Sequence, residues 1–313
     1  MISEKKGKVI KGLGGLYNVR VTENDGKISI YTCRAKGVLH KDEEELLIGD
    51  NVSISIDDTT PDGIIISEIE DRKNALIRPP MSNLDYLFIV FAAKKPSPVL
   101  EVVDKLIAIA VHNAITPVII VTKKDLDGGI ADEYAEIYRG VGIDTFVTSS
   151  ESGDGVDAVS EYIKSSVRGG KTAAFAGASG VGKSTLMNAI FPELKLLTSE
   201  ISKKIERGRH TTRHVEIFDI GSDADYGFLA DTPGFSLVDF ARFDFFDVED
   251  LPSTFSDIEK YSSGCTYADC AHVGEGIKDC AVARAAADGK ITPSRLESYR
   301  SIYRILKEKK NKF

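Results

Sequence analysis

The 313-residue chain has no tryptophan and only four cysteines. The missing tryptophan decides nothing. So few cysteines exclude a disulfide framework, which belongs to small, cysteine-dense chains in oxidising compartments. No apolar run approaches the roughly 18 residues of a membrane span. The opening MISEKKGKVI also lacks the apolar stretch of a signal peptide. No membrane partner and a cytoplasmic location are therefore expected. Nor is there an excess of positive charge: 40 Lys and Arg stand against 48 Asp and Glu, a net charge of -8. That balance excludes coating of nucleic acid by bulk attraction but leaves room for local basic patches. With 42% hydrophobic residues the chain can build ordinary cores, and its length suits two or three domains.

Residues 1–72 contain short strand-like runs: GKVIKG, LYNVRV, KISIYTCRA, DNVSISI and GIIISEI. Apolar residues alternate at Tyr17, Val19 and Val21 and again at Val52, Ile54 and Ile56. Asn24-Asp25-Gly26 and Asp62-Gly63 have hairpin-turn composition. The spacing predicts a small β-barrel of the oligonucleotide-binding (OB) type, with a generic β-sandwich as the alternative. Over residues 73–250 the rhythm changes. Strands are expected at 86–91, 117–121, 144–147, 172–176, 214–220 and 228–230, and helices at 98–110, 132–139, 156–163 and 182–191. This alternation predicts an α/β domain with a mostly parallel sheet covered on both faces. Residues 251–313 hold a Cys/His cluster and a helix expected at 293–307.

Gly177-Ala178-Ser179-Gly180-Val181-Gly182-Lys183-Ser184, followed by Thr185, matches the phosphate-cradling pattern GxxxxGK[ST] between an expected strand and helix. Glycines let successive backbone N–H groups converge on phosphate oxygens at a helix N-terminus. Lys183 supplies charge for the outer phosphates, and the Ser184 hydroxyl suits Mg²⁺. Asp231-Thr-Pro-Gly234 follows a strand, which places Asp231 to hold Mg²⁺ through water and Gly234 to sense a terminal phosphate. Thr122-Lys123-Lys124-Asp125 resembles the NKxD element with which GTPases read guanine. Asp125 would accept from the base N1–H and exocyclic amine, and Lys123 would lie along the base plane. Thr122 replaces the usual asparagine, so the amide that ties this loop to its neighbours is lost and weaker nucleotide affinity is expected. Ser149-Ser150-Glu151 resembles the backbone loop that completes guanine binding.

The order of these parts is informative. Base recognition precedes the phosphate loop and the magnesium aspartate follows it, as in a circularly permuted chain whose ends lie close together in the compact form. Cys265, Cys270, His272 and Cys280 then offer three thiolates and an imidazole, a set that a structural Zn²⁺ takes tetrahedrally. Buried free thiols are the alternative.

A β-barrel, a permuted GTPase domain and this cluster, in that order, resemble the small ribosomal subunit biogenesis GTPases of the RsgA (YjeQ/YloQ) family. The likeness extends to GKVIKGLGGLYNV, YTCRAKG and Gly208-Arg-His-Thr-Thr-Arg213. It departs at Glu275-Gly276-Ile277-Lys278-Asp279-Cys280, where the family usually has a shorter Glu-Pro-Gly-Cys ending. The resemblance implies a GTPase that uses GTP/GDP, is stimulated by the small ribosomal subunit and acts late in its maturation.

No glutamine follows Gly234, so hydrolysis by the free protein is expected to be slow. His210 is the candidate for positioning the attacking water, with RNA contact as its alternative role, and Thr211 or Thr212 for Mg²⁺ and the terminal phosphate. Basic foci at 295–313 (seven basic against two acidic residues) and 202–213 (five against one) are candidate rRNA contacts. A monomer is expected. The competing readings are an RNA-binding scaffold with a nucleotide switch of negligible turnover, and an ATP-driven enzyme, which Asp125 disfavours.

Overall fold

Alternation of apolar and polar residues in the first 69 positions closes a barrel. The computed structural model describes residues 2–35, 45–57, 59, 63–194, 215–221, 226–231 and 239–311. Five strands form the ring: β1 (Ile2–Leu13), β2 (Leu16–Thr22), β3 (Ile28–Ala35), β4 (Asn51–Asp57) and β5 (Ile64–Ile69). They pair in the order β1–β2–β3–β5–β4 and back to β1; only β3–β5 is parallel. Closure removes the free edges that an open sheet would expose. Inside, Val9, Val19, Val21, Cys33, Val52, Ile54 and Ile66 are buried, each such side chain contributing about 1.5–3 kcal/mol of transfer free energy. The predicted turn at Asn24–Gly26 is present: Gly26 N donates to Glu23 O, and Asp25 Oδ1 accepts from Lys27 N. At the second predicted turn, Asp57 N donates to Gly63 O at 2.7 Å; Asp62 lies outside the described residues.

The chain divides into two compact units. The first comprises Met1–Tyr86, Ser160–Phe175 and Glu200–Phe235; the second comprises Leu87–Val159, Ala176–Ser199 and Ser236–Phe313. In the first unit, β1 is longer than its predicted six-residue core. It carries a bulge between Val9 and Lys11, which bends the strand. Beyond the bulge, Lys11 pairs with Glu216 of β12 (Glu216–Ile220). The same two side chains form an ion pair at 2.8 Å. Strand β12 runs antiparallel to β13 (Gly227–Asp231), which lies parallel to β11 (Thr172–Ala176). A small hairpin of β6 (Ala75–Ile77) and β7 (Pro80–Ser82) was not expected, because three-residue strands are too short to show a period.

The second unit contains β8 (Tyr86–Ala92), β9 (Thr116–Thr122) and β10 (Thr145–Val147), ordered β10–β9–β8. The runs LFIVFA and IIVT are buried throughout, as strands covered on both faces should be. The helices are α1 (Leu100–His112), α2 (Gly128–Arg139) and α4 (Lys183–Ile190), while α3 (Val156–Ser166) begins in this unit and has its last seven residues in the first. Helix α2 begins four residues before its expected start. Asp127 caps it, accepting from Ile130 N at 3.2 Å, and this cap outweighs the two glycines of the first turn.

The C-terminal segment is helical: α5 (Ser256–Ser262), α6 (Ala281–Ala287) and α7 (Pro293–Lys310). Helix α7 packs on α1, and the contact is pinned by a buried ion triad. Arg295, 1% exposed, donates to Asp104 Oδ1 at 2.7 Å and to Asp257 Oδ1 at 2.9 Å. Its guanidinium lies 4.4 Å from the Phe255 ring centroid. This corrects the sequence reading, which counted Arg295 among exposed RNA-facing cations. Others of that group are also engaged. Arg300 Nε donates to His272 O at 3.0 Å, Lys309 pairs with Asp244 at 2.6 Å, and Lys310 pairs with Glu249. The 202–213 focus lies outside the described residues.

Candidate nucleotide site and metal centre

Strand β11 leads into the phosphate-loop sequence, where two glycines are obligatory. Gly177 has φ 141° and sits so close to β8 that a Cβ would lie 2.0 Å from Val90 O. Gly182 has φ 101° and is the N-cap of α4. Val181 is buried and anchors the loop, while Ala178, Ser179 and Gly180 are exposed. The Lys183 ammonium is held over the loop by Gly177 O at 2.7 Å and Ala178 O at 2.8 Å. Ser184 and Thr185 lie in the first turn of α4, where the helix N–H groups are free of intrahelical partners.

The end of β9 meets this loop. The buried Thr122 hydroxyl donates to Val181 O and also lies 3.2 Å from Phe91 O. The tie that an asparagine amide would make is thus kept by a hydroxyl, which was not foreseen in the sequence. Lys123, at φ 58°, sends its ammonium to Gly180 O at 2.7 Å and to Lys95 O. Lys124 pairs with Asp154 at 2.8 Å. Asp125, exposed, accepts from the buried Ser149 hydroxyl at 2.5 Å. Lys124 N bonds Thr148 O and Ser149 N bonds Asp154 O, so residues 122–125 join Thr148, Ser149 and Asp154 in one hydrogen-bonded cluster. Ser150 is half-buried beside it.

Sequence reasoning missed three members of this site: Asp154, the Lys95 carbonyl and Asp127. Asp127 had a legible signal, an aspartate just ahead of a helix; the other two did not. In the first unit, Asp231 ends β13 one residue beyond the Ala174–Ala230 pair, on an exposed position. His210, Thr211, Thr212 and Gly234 lie outside the described residues.

Cys265, Cys270, His272 and Cys280 converge, their ligand atoms all within 4.8 Å of one another. The three thiol sulfurs lie 3.6, 3.4 and 3.5 Å from His272 Nδ1, and Cys265 and Cys280 are 3.9 Å apart. A tetrahedral ion with bonds of about 2.3 Å to sulfur and 2.0–2.1 Å to nitrogen needs ligand separations of about 3.5–3.8 Å, so the set fits. His272 holds φ 61°, a backbone conformation unusual for histidine. Burial pushes its pKa down and keeps the imidazole in the neutral, ligating form. Ala281 N and Ala283 N donate to the sulfurs of Cys265 and Cys280 at 3.3 Å. Glu275, unforeseen, accepts from Ala271 N and Gly274 N at 3.1 Å and fastens the loop around the histidine. The insertion before Cys280 therefore costs no ligand.

A phosphate loop that follows its own base-recognition loops, together with an OB-type barrel and a helical module carrying a closed tetrahedral ligand set, defines a circularly permuted P-loop GTPase. The family model described as RsgA GTPase matches residues 69–241, and that of the RsgA N-terminal domain matches residues 6–65. A curated relative, the small ribosomal subunit biogenesis GTPase RsgA of Bacillus velezensis, is 38% identical, with 98% of this chain and 99% of the relative covered. Two solved structures match across nearly the whole chain. That of YloQ, described as a circularly permuted GTPase, has TM-score 0.75 and 35% identity, covering 98% of this chain and 96% of that one. YjeQ from Thermotoga maritima has TM-score 0.77 and 29% identity, covering 97% and 99%. The chain belongs to the RsgA GTPase family.

Proposed function

We propose that this protein binds the small ribosomal subunit and hydrolyses GTP late in subunit maturation, the subunit accelerating the reaction. The carrying observation is the cluster in which Thr122 and Lys123 bond the phosphate loop while the neighbouring Asp125 carboxylate is held by the Ser149 hydroxyl. Asp125 accepts from guanine N1–H and the exocyclic amine, a donor pair that adenine lacks. The amides of Gly177–Thr185 and the Lys183 ammonium take the phosphates. Ser184 and Asp231 are the protein groups that would hold Mg²⁺, which neutralises charge developing on the phosphates. Gly234 senses the terminal phosphate, His210 positions the water, and Thr211 or Thr212 completes the metal and phosphate contacts. The Cys265, Cys270, His272 and Cys280 set would hold one Zn²⁺, which would brace the C-terminal module and, with four protein ligands, leave no open position for catalysis.

The three functional blocks are residues 1–72, 73–250 and 251–313, and rRNA is the contacted partner. The protein acts as a monomer in the cytoplasm; among the described residues, no helix is long and apolar enough to cross a membrane. A scaffold with negligible turnover is the second reading, favoured by the sequence Gly234-Phe235-Ser236-Leu237, which has no glutamine after the DxxG turn. Phosphate release in single turnover, with and without purified small subunits, separates the two. Stimulation by subunits supports the enzyme, and equal, near-zero rates in both arms refute it. If His210→Ala leaves the stimulated rate unchanged, His210 has no part in the chemistry.

A further inference from the structure

A cation-lined cavity of about 490 Å³ opens in the first unit. Its walls carry Lys6 and Lys8 of β1, Arg20 of β2, and Lys73, together with the carboxylates of Glu70 and Asp71. Three of the four cations are paired. Lys6 meets Glu70 at 2.7 Å, Arg20 meets Asp219 at 2.9 Å, and Lys73 meets Asp85. Lys8 differs: among the described residues no carboxylate lies within ion-pair distance of it. Its ammonium donates to Gly49 O at 3.2 Å and stands 5.3 Å from the Phe228 ring centroid, leaving donor capacity unused. Burial, reinforced by the charge of Lys73, pushes its pKa down to about 8 against the opposing pull of Asp85 and Asp50.

The cavity floor is rigid. The Arg20 guanidinium lies over both Tyr226 and Phe228, at 4.6 and 5.4 Å, and these rings meet edge to face. Gly170 N bonds Tyr226 O at 3.0 Å, so the bare backbone of Gly169 and Gly170 forms one wall. The volume exceeds what a phosphate needs and admits an attached sugar.

We propose that this cavity is a phosphate-binding site in which the Lys8 ammonium supplies the missing ion pair and Lys73 adds charge. The phosphate belongs either to a single-stranded RNA backbone or to a small free phosphate ester. The site is independent of the guanine-nucleotide site.

The test uses the full chain with GDP and Mg²⁺ saturating the phosphate loop. Amide resonances of Gly169 and Gly170 are followed by NMR while inorganic phosphate, or a uridine hexanucleotide, is added. The expected result is a saturable shift that weakens at least fivefold in Lys8→Gln and survives in Lys8→Arg, with GDP affinity unchanged in both variants. Response to phosphate and to the oligonucleotide at matched concentrations assigns a small ester. A much tighter response to the oligonucleotide assigns RNA. No saturable shift with either probe, or a shift that persists undiminished in Lys8→Gln, overturns the proposal.

Discussion

Replacing Arg295 by methionine should be among the most damaging single changes available in the second unit. The residue is 1% exposed and joins Asp104 on α1 to Asp257 on α5. Methionine fills most of its volume but leaves two buried carboxylates without their cation. Breaking a buried ion pair from one side costs about 3–5 kcal/mol, and loss of the guanidinium from the Phe255 face adds about 0.5–1 kcal/mol. At about 2–4 °C per kcal/mol for a unit of this size, the midpoint should fall by about 10 °C. The penalty has a defined pH dependence. Burial already raises the Asp104 pKa, so the folded state keeps that proton to higher pH than the unfolded chain. Without Arg295 the pKa rises further, and stability is lost as pH climbs from the ordinary carboxylate range through the raised value. The variant should therefore be least stable near pH 8 and recover toward pH 5. Differential scanning calorimetry at those two pH values measures both effects. The triple change Asp104→Leu, Arg295→Met and Asp257→Leu should be more stable than Arg295→Met alone at pH 8, because no charge remains to be buried. A midpoint within 2 °C of the parent for the single variant, or a triple variant no better than the single, would refute this reasoning.

Asp125→Asn should lower guanine-nucleotide affinity by at least tenfold, since hydrogen bonds to a charged acceptor contribute about 1.5–3 kcal/mol each; calorimetric titration with GDP and with xanthosine diphosphate checks this, the latter gaining. Thr122→Val removes the hydroxyl that holds Val181 O and leaves a buried carbonyl unpaired at about 1–3 kcal/mol. GDP affinity should drop about tenfold, whereas Thr122→Asn should retain it. Elemental analysis of the purified protein should find about one zinc per chain. His272→Ala should lose most of it and bring Cys265 and Cys270 within reach of a thiol reagent.

Most of the fold was legible because its signals are periodic. Alternation at Val52, Ile54 and Ile56 places exactly those residues inside the barrel, and the apolar runs of β8 and β9 mark strands covered on both faces. The phosphate loop and the Cys/His set were legible because their chemistry fixes residue types at short spacings. What escaped notice depends on partners far apart in the chain. Arg295 looked like one more exposed cation because nothing near it in sequence announces Asp104, 191 positions away. The hydroxyl of Thr122 read as a loss, since only the folded loop shows Val181 O within its reach. Asp154 and Glu275 act through backbone geometry that no spacing rule describes.

The first strand is shared between two constructions made at different times. Residues 2–69 suffice to close the five-stranded ring, yet Lys11 finds Glu216 only 205 positions later. At 5–20 residues per second of synthesis, the finished ring waits roughly seven to thirty seconds with its outer lip bare. During that interval the lip is a sticky margin for any passing strand. It is also a ready guide against which β12, and through it β13, can align on arrival.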